Sequence, residues 1–138
     1  MPILILIPCL ALFGVFGETT GRAEAASSSI AEAVIFPSRL HYRQSATMEI
    51  RVTNRSAAPI DTVTVAVDPA FLSAFTALRF DPPENSDFSV RLLDVKPAEK
   101  RSVFLALSGE KYGRSSGRVV AKAGGESTAV HVSTFIFP

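Results

Sequence analysis

Past Ser29 the apolar residues recur at every second position. In "MEIRVT", Met48, Ile50 and Val52 fall on one face while Glu49, Arg51 and Thr53 fall on the other, the period of a strand with one buried side. "TVTVAV" repeats the pattern, setting Val63, Val65 and Val67 against Thr62, Thr64 and Ala66. "NRSAAPID" between the two runs supplies Asn, Ser and Pro for a turn, so the pair reads as a hairpin that forms one wall of a core. "FSVRLLDV" groups Phe88, Val90 and Leu92, and "KPAEK" turns the chain. "RSVFLALS" then returns with Val103, Leu105 and Leu107 inward and Phe104 and Ala106 outward. "SGRVVAKAG" and "STAVHVSTFIF" form a last pair around "AGGES", where Gly124 and Gly125 are able to take positive φ. "AVIFPSRL" reads as an edge strand stopped by Pro37, which has no N–H for a ladder, and "GRSSGR" reads as a turn between strands.

One segment leaves this period. "DPAFLSAF" places Phe71, Leu72 and Phe75 at helical spacing after Pro69, a good first-turn residue, with Asp68 as the cap. It predicts one short helix crossing between two sheets, its aromatics plugging one end. The total is seven strands with turn signals every 8–12 residues or so, the pattern of an all-β, antiparallel, immunoglobulin-like β-sandwich.

The N-terminus is chemically unlike the rest. Pro2 to Gly17, "PILILIPCLALFGVFG", contains no charged side chain, and "ETTGRAEAASSS" then turns polar and small. A run of about 16 apolar residues is shorter than the roughly 20 a spanning helix needs and suits a secretory leader. Ala23 and Ala25 in "AEA" fit a signal-peptidase motif, with cleavage after Ala25 or Ala26. The expected organisation is a leader over 1–26, or an uncleaved anchor, and a sandwich domain over 27–138. Cys9 is the single cysteine and lies in the leader, preceded by Pro8 where a lipidation site wants a small residue. The exported chain would hold no disulfide and depend on packing, and about 110 residues suffice for a real core.

The succession "MEIRVTNRSAAPIDTVTVAV", "RLLDVKPAEKRSVFLAL" and "YGRSSGRVVAKAG" resembles bacterial extracytoplasmic immunoglobulin-like domains of the CARDB or DUF11-like kind, within the wider group that includes fibronectin type III. In that group a strand ending in Asn leads into a small polar turn, and a Pro-Gly-Glu turn precedes an alternating strand. Asn54, Pro97 and Glu99 match, whereas Ala98 stands where glycine is usual. The resemblance covers about residues 30–138 and implies a spacer, adhesion or assembly role, with no catalytic residues to carry over. Tyr112, before Gly113, fits either the corner tyrosine of such sandwiches, tying its hydroxyl to nearby backbone, or a half-exposed loop residue.

Composition adds mainly exclusions. A net charge of +1 spread along the chain gives no nucleic-acid footprint. His41 and His131, the two histidines, stand far apart, and His131 alternates with Val130 and Val132 on an outward face. The carboxylates, Glu32, Glu49, Asp61, Asp68, Asp81 and Glu84 among them, come singly, and no zinc spacing, nucleophile elbow or phosphate loop appears. The expectation is therefore a protein that is not an enzyme, with no cofactor, no metal and no small-molecule substrate. Phe104, Phe135 and Phe137 point outward on their strands, and with Tyr112 they form the candidate contact surface. The expected role is an exported module making protein contacts at the cell envelope, periplasm or outside. The alternatives are an accessory subunit tethered to a membrane complex through residues 2–17, and a carbohydrate-binding module, which the lack of Trp disfavours.

Overall fold

The computed structural model describes residues 20–83 and 88–138. The apolar run expected to be a leader, Cys9 and residues 84–87 lie outside the described residues. In chain order the elements are β1 (Thr20–Ala26), β2 (Ile30–Pro37), β3 (Arg39–His41), β4 (Ser45–Asn54), β5 (Ile60–Val67), the helix α1 (Pro69–Leu72), β6 (Phe75–Asp81), β7 (Ser89–Val95), β8 (Lys100–Gly109), β9 (Gly113–Ala123) and β10 (Glu126–Phe137). Two five-stranded sheets result, ordered β1-β2-β4-β8-β6 and β3-β10-β9-β5-β7.

The inward residues of both sheets make one core. Met48, Ile50 and Val52 from β4 meet Val103, Leu105 and Leu107 from β8 on one side, and Val63, Val65, Val119, Ala121, Val132 and Ile136 close the other, all fully buried or nearly so. The period-two reading therefore places these side chains correctly. An all-β sandwich with one short helix is what forms.

Among the described residues ten strands stand where seven were expected, for local reasons. β1 arises from the polar stretch after the apolar N-terminal run, and its alternate small residues Gly21, Ala23 and Ala25 face inward. "AVIFPSRL" is not one edge strand: β2 runs between β1 and β4, and at Pro37 the chain leaves the first sheet for the second, where β3 pairs with β10 in parallel. A proline cannot continue the ladder, so this is where the strand changes sheet. β6 begins at Phe75, in the stretch read as helix. Its ladder with β8 shifts register between Thr76 and Arg79, with Ala77 at φ 54, which hides its alternation.

The expected hairpins are mostly arches. β4 belongs to the first sheet and β5 to the second, so "NRSAAPID" carries the chain across the sandwich, as "KPAEK" does from β7 to β8. Alternation reports which side is buried and is the same for both connections. Asn54 joins the two arches. Its Nδ2 donates to the carbonyls of Ala58 and Val95, both at 2.9 Å, and its Oδ1 accepts from the Ser56 N–H and hydroxyl. Ala98, beside it, sits at φ 63, the left-handed geometry that favours the glycine of related turns. β9 and β10 form the one expected hairpin, with Gly124 at φ 60 and Gly125 without a positive φ.

"GRSSGR" is strand rather than turn. Its small residues make room for α1: a Cβ on Gly117 would lie 2.8 Å from Phe71 Cβ, and the Ser115 hydroxyl donates to the Phe71 carbonyl at 2.7 Å. α1 starts as its sequence predicts, with Asp68 Oδ1 accepting from the Ala70 N–H at 2.9 Å. Phe71 and Phe75 pack with ring centroids 5.0 Å apart inside the core.

Candidate functional site: an aromatic rim at β3 and β10

β10 alternates Thr134 and Ile136 inward with Phe135 and Phe137 outward, because the edge of the second sheet has one dry and one wet face. Phe135 is 41% exposed, and its ring stacks on Phe137 at 6.4 Å and 17°. The parallel pairing with β3 sets His41 opposite Phe137, the two rings 4.1 Å apart. Next along the chain, Tyr42 meets Tyr112 at 5.1 Å, and the Arg43 guanidinium lies 5.3 Å over the Tyr42 ring. Ser38, Arg39, Arg114 and Phe135 border a shallow depression of about 390 Å³, with Arg114 donating to Ser133 Oγ at 3.0 Å. Two aromatic groups result: Phe135, Phe137 and the His41 imidazole, bordered by Arg39 and Arg114, and Tyr42 with Tyr112 beneath Arg43.

The first group holds Phe135 and Phe137 from the sequence-derived surface and adds His41, whereas Tyr112 pairs with Tyr42 in the second. Tyr112 is 62% exposed, a loop residue whose ring is tilted 58° against that of Tyr42. Phe104 stands apart. It is 41% exposed on β8 of the first sheet, beside a depression of about 410 Å³ lined by Thr47, Arg79, Asp81, Pro83 and Ala106. The β3–β10 pairing that brings His41 to Phe137 is non-local and parallel, so alternation within either run could not announce it.

Ala23 and Ala25 lie in β1 as half-buried, inward-facing residues. Their partners in the adjacent strand are Val34 and Glu32. Glu32 is the one feature of the interior that the residue pattern should have raised. It alternates with Ile30 and Val34, is 1% exposed, and bonds Thr128 Oγ1 at 3.2 Å through Oε1, while Oε2 has no protein partner. Burial pushes its carboxyl up to about 8, the Thr128 bond opposing the rise only in part. On the surface the reverse holds for Glu99, whose carboxyl the Arg101 guanidinium and the Lys96 N–H hold below its usual range. Among the described residues no three His, Cys, Asp or Glu side chains are grouped to hold a metal ion, and no helix is long and apolar enough to cross a membrane.

No family model matches the chain, and no curated protein matches it. Among solved structures, alpha-2-macroglobulin of E. coli in its native conformation superposes with a TM-score of 0.54 over 81% of this chain at 14% identity. The chain spans 7% of that much longer protein. The cupredoxin domain of amoB from Nitrosocaldus yellowstonii aligns over 81% of this chain and 89% of its own, at 9% identity and a TM-score of 0.47. Domains 4 and 5 of the S-layer protein SbsC align over 90% and 79%, at 11% identity and a TM-score of 0.38. The first of these likenesses speaks for the fold alone: this chain is a β-sandwich domain.

Proposed function

We propose that this protein is an exported, non-enzymatic sandwich of the immunoglobulin-like, CARDB or DUF11-like kind that works through protein contacts at the cell envelope. The stacked rim of Phe135, Phe137 and His41 carries this reading, because grouped aromatics on a sheet's outer face gain by being covered in a way that single ones do not. The bordering Arg39 and Arg114 favour a partner with acidic groups around an apolar centre.

The test is affinity purification of the full chain from native membrane and soluble fractions, beside Phe135→Glu and Phe104→Glu variants. The rim reading expects Phe135→Glu to lose a partner that Phe104→Glu keeps, with unchanged melting temperatures. Identical partners for all three chains would refute it. Intact mass of the purified protein addresses export: loss of the first 25 or 26 residues marks a processed leader, and full mass marks a module tethered through residues 2–17.

A further inference from the structure

The two sheets have four outer strands, β1, β6, β3 and β7. Three are poorly suited to receiving another strand. β3 has three residues, β6 carries the register shift and left-handed Ala77, and β7 carries Asp94 at φ 52. The fourth rim is different. β1 pairs with β2 in unbroken antiparallel register over seven residues, from Thr20↔Pro37 to Ala26↔Ala31.

β1 is also the segment that contains the expected processing motif. Cleavage after Ala25 or Ala26 would remove it and leave β2 as an open rim. The turn behind the cut would stay fastened, since the Ser28 and Ser29 hydroxyls bond the Glu126 carboxylate and the Ser27 N–H donates to the Ile30 carbonyl at 2.8 Å.

We propose that the β2 rim is a strand-acceptor site, vacated when the leader is processed and filled by an extended segment of a partner protein with Gly or Ala at alternate, inward positions. This rests on the reading of an exported contact module and names the kind of partner segment it takes. Main-chain ladder bonds supply affinity in such strand addition, and the alternate side chains supply selection.

β1 shows what the seat selects. At Gly21 a Cβ would come within 2.6 Å of Phe36 Cζ, so the Phe36 ring lies across that position and favours glycine. Ala23 and Ala25 pack against the core, and Ala25 is the lateral neighbour of buried Glu32, whose cover depends on this strand. On the outer face, Glu24, Ala33 and Arg51 form one cross-sheet row. Ala31 and Ala33 there floor a depression of about 430 Å³ bordered by Arg22, Glu24, Arg51 and Lys100. An acidic residue at the Glu24 position suits the cations of that border. The selected pattern is Gly, any residue, Ala, an acid, Ala.

The experiment uses the exported protein as purified from a bacterial host, its N-terminus fixed by intact mass. The probe is a fluorescent peptide of residues 20–26, with versions carrying Gly21→Val or Glu24→Lys. The proposal expects an N-terminus at Ala26 or Ser27, saturable peptide binding, and about tenfold or greater weakening by Gly21→Val. A processed chain that folds only when the peptide is added supports it equally. An N-terminus upstream of Thr20, absence of both binding and rescue, equal affinity for the Gly21→Val peptide, or dimers paired through β2 would each overturn it. The aromatic-rim reading stands or falls separately, on the Phe135→Glu purification.

Discussion

Replacing Glu32 by Gln isolates the one ionisable side chain buried among the described residues. The folded carboxyl titrates near 8 against 4.5 for the free group. The folded state therefore holds a proton that the unfolded chain releases, and stability contributed at low pH is lost as pH rises from about 4.5 through about 8. At about 1.4 kcal/mol per pH unit, the loss across that window is on the order of 5 kcal/mol, a large part of a domain's typical total of about 5–15 kcal/mol. Gln keeps a group able to bond Thr128 and carries no charge, so Glu32→Gln should remain flat where the parent declines. The inward side chains beside Glu32 are Ile30, Val34, Ala25, Val52 and Thr128, none of which titrates, and both histidines are exposed and common to the two chains. Urea unfolding of parent and variant at half-unit steps from pH 5 to 8.5 measures the difference directly. The variant should differ from the parent by less than about 1 kcal/mol near pH 5 and exceed it increasingly towards pH 8. Parallel profiles would show that Glu32 is ionised in the folded chain, and the account of its burial would be wrong.

Asn54→Ala removes the side chain that bonds both arches and leaves the Val95 and Ala58 carbonyls without that donor; a loss of about 2–3 kcal/mol is expected in chemical denaturation. Gly117→Val drives a branched side chain against Phe71 and Asp68, so α1 must lift; about 2–3 kcal/mol should be lost, seen by calorimetry as a fall of about 10 °C. Changing Gly117 to Ala should cost less, because its single methyl meets the same atoms with fewer contacts.

Much of the fold was legible because burial imposes its own period. Strands β4, β5, β8 and β10 each present an uninterrupted row of inward residues, and any sandwich must place such rows in its interior. What the rows leave open is where each strand goes next. Met48, Ile50 and Val52 face inward whether the following loop folds back or crosses over, so the arches at Asn54 and Lys96 looked like hairpins. β6 was obscured because its bulge shifts the alternation midway, and the first half of β9 because Gly and Ser there yield volume to α1. Of the candidate site, the outward direction of Phe135 and Phe137 followed from alternation. Their company with His41 depended on a parallel pairing that no local pattern encodes.

The irregular rims of β6 and β7 and the shortness of β3 also limit how copies of this domain can aggregate. An added chain finds room for a long ladder at one place only, so docking there ends the series instead of starting a filament. Many of these domains can therefore sit side by side at high concentration without stacking into fibres.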